Sequence, residues 1–299
     1  MAMRHIPVLL EETVEALAVK PGGRYVDGTL GRAGHARAIL ARGGEVLGID
    51  RDDEALAEVA ALSLKGLTAV KGEHGNLKEI ANENGWKKVD GVLLDLGVSS
   101  PQLDVAGRGF SFLREGPLDM RMDRSGGLTA ADLVNEGNAE ELERIFREYG
   151  EERQARRIAR AIAGRRGFGT TTELADFVER TVGRKGAHHP ATRVFQALRM
   201  RVNDEVGELE RALAGGLEIL ESGGRFAVIT FESITDRVVK TFFSEHVGKV
   251  RGRQQGGVER VGVEPWARAV TRGAIVATET ETDLNPRARS AKLRVIEKE

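Results

Sequence analysis

The feature that most constrains the fold is a regular alternation of short apolar strands and helices in the first hundred residues. Strand-like segments at Arg24–Asp27, Glu45–Asp50, Leu67–Lys71 and Val89–Asp95 are separated by segments with helical spacing. Repeated strand–helix units of this length are typical of a parallel sheet with right-handed crossovers. The sequence therefore predicts an α/β fold with a parallel sheet.

The alternation stops after Asp95 and returns much later in the chain. From about residue 104 to 201 the sequence contains Arg-rich helical segments and no convincing strand. Strand patterns then reappear at 225–231, 274–277 and 292–296. We therefore predict a discontinuous sheet domain, 1–104 and 205–299, interrupted by an inserted, all-helical domain at 105–204.

A long apolar stripe lies at the end of this insertion. Apolar residues in steps of three or four predict one helix from Pro190 to Leu220, with Gly207 and the pair Gly215–Gly216 as points where it is bent or interrupted. The exposed half of this helix contacts one of two partners, and the sequence does not choose between them: RNA, or a second copy of the chain in a homodimer.

The net charge of -1 conceals an uneven distribution. Residues 1–143 hold 16 basic and 24 acidic residues, whereas 144–299 hold 29 and 22. Arginine dominates the basic excess, and a guanidinium pairs bidentately with phosphate oxygens, so this excess favours a polyanion-binding surface over an ordinary solvated helix face. The candidate RNA-binding residues are Arg153, Arg156, Arg157, Arg160, Arg193 and Arg199.

Three of the predicted strands end in an aspartate: Asp27, Asp50 and Asp95. Ligands of open parallel sheets bind beyond the carboxyl ends of the strands. The glycine loop Gly28 to Gly34 follows the first strand, and its spacing matches neither the dinucleotide fingerprint nor the P-loop. An acid after the second strand accepts hydrogen bonds from ribose hydroxyls. Together these features favour a nucleoside with an amino-acid tail, S-adenosylmethionine, over helix caps alone.

A Ser-Pro turn follows Asp95. Its carbonyl groups and the carboxylate surround a small space, which suits methylation of an exocyclic amine through alignment of its lone pair, although an ordinary loop is the competing interpretation. Asp95, Ser100 and Pro101 are the catalytic candidates. The chain has no cysteine, which excludes cytosine C5 methylation through a thiolate adduct.

Seven segments together resemble one family, the bacterial small-subunit (16S) ribosomal RNA cytosine-N4 methyltransferases. They are Asp27–His35, Leu94–Asp104, Arg108–Phe112, Gly116–Asp123, Tyr149–Glu152, His189–Arg193 and Asn285–Ser290. The resemblance runs almost end to end. It implies a class I methyltransferase sheet with an inserted helical domain, and methyl transfer from S-adenosylmethionine to N4 of a cytidine in the decoding region. It also implies small-subunit ribosomal RNA, or the assembled small subunit, as the partner.

The resemblance also implies a set of cofactor contacts and three departures from the family pattern. The implied contacts are Ala33, Gly34, His35, Asp50, His74, Asp95 and Gln102. Ala33 stands where the family usually has glycine, which matters little if φ is negative there. His74 replaces a phenylalanine and makes an adenine-stacking contact polar. Glu232 replaces a histidine, so no role of that histidine carries over.

The insertion offers two ways to use its aromatic residues. A target base must leave the folded RNA before it can react, and Phe110 or Phe112 either stacks on the exposed base or packs in the core. The adjacent residues His188 and His189 predict no metal site, because neighbouring helical positions diverge by about 100° and no acidic cluster surrounds them. We interpret His189, which precedes Pro190, as a helix-entry residue.

Two other functions fit parts of the sequence. Ser100–Leu103 half matches the motif of DNA amino-methyltransferases, without its second proline and aromatic residue. An RNA-binding assembly factor that holds the cofactor without turnover is the alternative from another class. No apolar stretch approaches the roughly 18 residues of a membrane span, so we expect a cytoplasmic protein with no membrane partner.

Overall fold

The computed structural model describes residues 7–184, 186, 188–252 and 258–299, with the backbone alone at 100–101, 251–252 and 258. The chain forms two compact units. We call Met1–Gly97 with Val206–Glu299 the sheet unit, and Val98–Glu205 the helical unit. The predicted insertion, 105–204, starts inside the helical unit and ends beside its last residue.

The strands of the sheet unit form one large sheet and a separate hairpin. They are β1 (Arg24–Asp27), β2 (Glu45–Asp50), β3 (Leu67–Lys71), β4 (Val89–Asp95), β5 (Leu220–Thr230), β6 (Lys249–Gly252), β7 (Val258–Val261), β8 (Ala267–Ala269), β9 (Ile275–Val276) and β10 (Lys292–Lys298). The sheet order is β3-β2-β1-β4-β5-β10-β8, with β9 also on β10, while β6 and β7 pair with each other. The first five strands are parallel and β10 is antiparallel to β5. The predicted α/β fold is confirmed.

Helices cover the sheet and build the helical unit. They are α1 (Leu10–Ala16), α2 (Gly34–Ala41), α3 (Asp53–Ala61), α4 (Leu77–Glu83), α5 (Ser100–Asp104), α6 (Ala130–Glu136), α7 (Ala139–Glu148), α8 (Ala155–Arg165), α9 (Thr171–Val182), α10 (Ala191–Val202), α11 (Glu205–Ile219), α12 (Ser233–Val247) and α13 (Glu279–Leu284). None of those in the described part of the chain combines the length and apolar character needed to cross a bilayer.

Both faces of the central strands β1, β2 and β4 are buried, which explains the near-continuous apolar runs in these strands. Successive residues of β1 enter different cores: Tyr25 packs with Ile39 of α2, and Val26 with Leu213 of α11. The strands are therefore held from both sides, and their carboxyl ends form a fixed edge.

The helical unit has a single apolar core, and the strand-like contact among its described residues is an isolated bridge between Pro117 and Thr170. Three of its helices, α6, α7 and α9, begin at side-chain caps that satisfy free backbone N–H groups. Thr129 and Asp132 form a reciprocal capping box at α6, and Asn138 caps α7.

The single helix predicted from Pro190 to Leu220 is wrong. The chain breaks between α10 and α11, where Asp204 takes a left-handed φ of 47°. The carboxamide of Asn203 fixes this break: it donates to the carbonyl oxygens of Met120 and Arg199, both at 2.8 Å, and accepts from the N–H of Met122 at 2.8 Å. Both helices keep the same apolar spacing, so the stripe does not reveal the break.

Candidate active site at the carboxyl ends of the strands

Three aspartates lie at one edge of the sheet. Asp27, Asp50 and Asp95 are the last residues of β1, β2 and β4. These strands are neighbours in the order β2-β1-β4 and run parallel, so their carboxyl ends meet at the same edge. The structure therefore brings together the three acids that the sequence singled out.

Thr29 links the first and fourth strands at this edge. Its backbone N–H and its hydroxyl donate to Oδ1 of Asp27, at 3.1 and 3.4 Å. Its Oγ1 accepts the backbone N–H of Asp95 at 2.6 Å. No role of Thr29 was predicted from the sequence, although its position two residues after an aspartate is a signal for a local side-chain turn.

Asp50 holds the glycine loop in place. Its Oδ2 accepts the N–H of Gly31 at 2.7 Å and its Oδ1 accepts that of Asp52 at 2.9 Å. Gly31 has a left-handed φ of 49°, a conformation that glycine adopts at no steric cost. A carboxylate has about four lone-pair positions, so Asp50 keeps acceptor capacity for ribose hydroxyls.

Ala33 corrects one expectation. It precedes α2 with a φ of 58°. The φ is therefore positive, whereas alanine would be harmless here only with a negative φ. A left-handed conformation costs a residue with a Cβ roughly 1–2 kcal/mol. The next residue, Gly34, is required by packing, because an added Cβ would lie 2.4 Å from Cγ of Pro7.

His35 is buried beside Asp95. Its Nε2 lies 3.1 Å from the carbonyl oxygen of Val8, and its Nδ1 lies 3.7 Å from Oδ2 of Asp95. Burial lowers the pKa of His35 and raises that of Asp95 to about 7. Burial, opposed by His35 and reinforced by the negative charges of Asp95 and Asp50, raises the pKa of Asp27 to about 6. The carboxyls of this edge therefore titrate near neutral pH, Asp95 at a higher pH than Asp27.

His74 follows β3 in a short 3-10 turn, His74–Asn76. It is buried, and its Nε2 has no hydrogen-bond partner among the described residues. Burial, with the positive charge of Arg51 nearby, lowers its pKa to about 4, so the ring is neutral. A buried polar atom without a partner costs free energy unless a ligand or water satisfies it.

Glu208 of α11 positions the turn that carries His74. Its Oε2 accepts the N–H of Gly75 at 2.8 Å, and its Oε1 pairs with Arg211 at 2.5 Å. A Cβ on Gly75 would lie 2.5 Å from Oε2 of Glu208. Glu208 was not predicted from the sequence, because its partner lies 133 residues away and no local pattern marks it.

Gln102, Ser100 and Pro101 belong to the helical unit. Oε1 of the buried Gln102 accepts the N–H of Ser99 at 3.0 Å. The backbone of Ser100 and Pro101 opens α5, and their side chains lie outside what the structure describes. Their roles at the cofactor and in catalysis stay predictions.

Four of the six candidate RNA-binding arginines share one surface. They line an open concavity of about 420 Å³ together with Gln154, and all four are exposed: Arg153, Arg156, Arg157 and Arg160. We call this the α8 arginine surface. Arg193 is exposed as well, and its Nη1 donates to the carbonyl oxygen of Glu151 at 3.0 Å.

Arg199 is a correction. Its side chain is 11% exposed, and its Nε and Nη2 bind the two carboxylate oxygens of Glu205 at 2.7 and 2.8 Å. A buried, bidentate ion pair leaves no guanidinium face for a phosphate. Arg199 therefore supports the α10–α11 break and is not a surface arginine.

The two aromatic candidates of the helical unit are shielded from solvent to different extents. Phe110 is buried, and Phe112 is half-buried with its ring 4.8 Å from the rings of both Phe195 and His189. Nδ1 of His189 accepts the N–H of Ala191 at 3.1 Å, at the start of α10. The interpretation of His189 as a helix-entry residue is confirmed.

The sheet unit fits the cofactor that the sequence favours. Carboxyl groups suit a ligand with ribose hydroxyls and a positive charge, and the neutral His74 offers an unsatisfied nitrogen. With its mainly parallel sheet, its glycine loop and its acid after β2, the chain has the fold and site of a class I S-adenosylmethionine-dependent methyltransferase.

Comparisons with known proteins identify the family. Residues 2–299 match the MraW methylase family. Relatives named "Ribosomal RNA small subunit methyltransferase H" occur in Caulobacter vibrioides, 49% identical over 98% of this chain and 95% of the relative, and in Symbiobacterium thermophilum, 46% identical over 100% and 98%. A solved rRNA methylase from Streptococcus thermophilus has a TM-score of only 0.41 at 13% identity over 99% of both chains, too weak a likeness to carry an argument. The chain belongs to the MraW methylase family.

Proposed function

We propose that this chain transfers a methyl group from S-adenosylmethionine to the exocyclic N4 of a cytidine in the decoding region of small-subunit ribosomal RNA. The observation that carries the proposal is the family match over residues 2–299, together with relatives named for the small-subunit ribosomal RNA. The choice of cytidine N4 rests on the resemblance of the seven sequence segments and on the absence of cysteine.

Each residue of the sheet edge has a task in this proposal. S-adenosylmethionine supplies an electrophilic methyl group on a cationic sulfur. Asp50 binds the ribose hydroxyls, and the loop Ala33–His35 contacts the amino-acid tail. The Nε2 atom of His74 forms a hydrogen bond with the adenine. Asp95, with Ser100 and Pro101 of the following turn, holds the N–H groups of the target amine. This alignment turns the nitrogen lone pair toward the methyl carbon for in-line displacement, with no covalent intermediate on the enzyme.

The helical unit recognises the RNA. The four guanidinium groups of the α8 arginine surface have no acid partner among the ion pairs of the described residues, so they are available to phosphates. Phosphate contacts set register and orientation, whereas exposing the target base costs a few kcal/mol unless it is already unpaired. The substrate that offers both the phosphates and an unpaired target base is the assembled small subunit in the cytoplasm.

The direct test is methylation of defined substrates by the purified protein. We expect radiolabelled methyl from S-adenosylmethionine to enter assembled small subunits, and nucleoside mass spectrometry to find it on cytidine N4 alone. Protein-free ribosomal RNA and duplex DNA are the parallel arms, and both should take up much less label.

Each other outcome contradicts the proposal in a specific way. Label in duplex DNA indicates a DNA amino-methyltransferase, and label on another base or atom overturns the assignment to N4. RNA binding and cofactor binding with no turnover on any substrate indicate an assembly factor. Mass spectrometry of ribosomal RNA nucleosides from cells with and without the protein checks the result in vivo.

A further inference from the structure

The hydrogen-bond partner of His35 determines which of its ring nitrogens carries the proton. The carbonyl oxygen of Val8, 3.1 Å from Nε2, can only accept, so Nε2 must be the N–H donor. Burial lowers the pKa of His35, so the neutral ring has no second proton. The lone pair of Nδ1 therefore faces Oδ2 of Asp95 at 3.7 Å.

We propose that His35 and Asp95 form a proton-holding pair: the protonated carboxyl of Asp95 donates to Nδ1 of His35 in the free protein, and Asp95 releases this proton when a cationic ligand binds. The 3.7 Å separation is about 1 Å longer than a strong hydrogen bond, so the proposed bond requires the two side chains to approach each other by about that distance. Oδ2 belongs to a side chain that is 23% exposed, so a ligand can reach the carboxyl.

Burial favours the protonated form of Asp95, and two further carboxyls lie at the same edge. Burial lowers the pKa of His35 and the charge of Asp27 opposes this shift, whereas the charges of Asp95 and Asp50 reinforce the rise that burial causes in the pKa of Asp27. Three carboxyls therefore share the edge. Burial raises the pKa of Asp50, and the positive charge of Arg51 opposes this rise. With burial raising the pKa of Asp95 to about 7, this carboxyl is about half protonated at neutral pH, and an added positive charge displaces the proton.

The pair also provides a destination for the proton that the methylated amine must lose, and this step alone rests on the proposed function. After N4 gains its methyl group it carries two hydrogens and a positive charge. One N–H bond breaks, its electron pair stays on N4, and the proton goes to Oδ2 of Asp95. The products are a neutral methylated amine and a carboxylic acid that donates to Nδ1 of His35, which makes His35 a positioning residue.

The first test is nitrogen NMR of the free protein, with no RNA present. We expect the Nε2–H tautomer for His35 and an Nδ1 resonance that shifts as the pH passes through about 7. The shift should disappear in Asp95→Asn and persist in Asp27→Asn. An Nδ1–H tautomer, or an Nδ1 resonance that ignores Asp95, overturns the proposal.

The second test is calorimetry of S-adenosylmethionine and of S-adenosylhomocysteine, whose sulfur carries no charge. Proton release is measured in buffers of different ionisation enthalpy at pH 6.5. We expect S-adenosylmethionine to release most of one proton and the uncharged product less than half as much. Because the proton must leave, affinity for the cation should rise up to tenfold per pH unit below pH 7.

His35→Gln keeps a donor for the Val8 carbonyl and removes the Nδ1 lone pair. It should lower the pKa of Asp95 and at least halve the proton release. His246 is the matched control, a buried histidine whose Nδ1 lies 3.0 Å from the carbonyl oxygen of Pro265. His246→Gln should leave proton release unchanged.

Equal release by the two ligands, or equal release by His35→Gln and the wild type, overturns the pair. If His35→Gln does not fold, the wild type and Asp95→Asn decide alone. These readouts do not depend on RNA methylation, so a failed methylation assay leaves the pair standing and refutes only the proposed substrate.

Discussion

The two units of this chain differ in the sign and the burial of their charged side chains. The sheet unit gathers carboxyls at a strand edge where burial raises the pKa of Asp27 to about 6 and of Asp95 to about 7. The helical unit divides its arginines into buried, paired ones such as Arg199 and exposed ones on the α8 arginine surface. The comparison teaches that the function of a charged residue follows from its partner and its burial, and not from its place in a charge run.

The largest expected effect is on the stability of the helical unit. Arg199→Met leaves the buried Glu205 without its counter-ion, which typically costs 3–5 kcal/mol. We expect chemical denaturation to show that loss, and the double variant Arg199→Met/Glu205→Leu to recover much of it. Wild-type stability in the single variant would place Arg199 among the surface arginines. It would contradict the difference between buried, paired arginines and exposed ones.

The next effect concerns RNA affinity and separates two kinds of exposed arginine. Arg153→Gln/Arg157→Gln removes two arginines of the α8 surface and should weaken RNA binding about 30-fold at about 0.1 M salt, with a shallower salt dependence. The control Arg147→Gln/Arg165→Gln removes arginines already paired with Glu143 and Glu173, at 2.6 and 2.5 Å, and should change affinity less than about threefold. Filter binding at several salt concentrations measures both, and equal losses would argue against a specific α8 surface.

A smaller effect is the pH dependence of stability. Asp95 binds its proton more tightly when folded, so its contribution to stability falls as pH rises from about 4 to about 7. Asp95→Asn should therefore be about 1–2 kcal/mol more stable than the wild type at pH 8 and equal to it near pH 4.

Asp236 provides the opposite control for Asp95. Although burial opposes it, hydrogen bonds from Arg294 and Lys292 lower the pKa of Asp236. Asp236→Asn should lose stability at pH 7, and this loss should shrink as the pH falls through the acid range. Parallel pH profiles for the two variants, measured by thermal unfolding, would contradict the assigned difference in environment.

The smallest effect tests backbone strain at the glycine loop. Ala33→Gly relieves a left-handed alanine and should stabilise the sheet unit by about 0.5 kcal/mol after the greater chain entropy of glycine. Ala36→Gly, three residues on in the regular part of α2, should instead cost about 1 kcal/mol. Calorimetric unfolding compares the two, and a loss in both variants would show that the strain at Ala33 is negligible.

Much of the sheet unit follows from local sequence. The first four strands end where the sequence predicts, because alternating strands and helices with buried apolar runs are encoded by neighbouring residues. Short strands were missed: β6, β7 and β8 have few residues, and partners elsewhere in the chain define them. β5 starts at Leu220 rather than at Arg225, because pairing with β4 extends it.

The sequence by itself determined the α/β fold, the aspartates at the strand ends and the arginine excess of the insertion, since each depends on spacing along the chain. Only the tertiary structure decided that Asn203 breaks the long helix, that Arg199 is buried and that Ala33 is left-handed. It also decided that Nδ1 of His35 lies 3.7 Å from Oδ2 of Asp95. These features depend on atoms brought together from distant positions, and burial and hydrogen-bond partners are properties of that arrangement rather than of any local pattern.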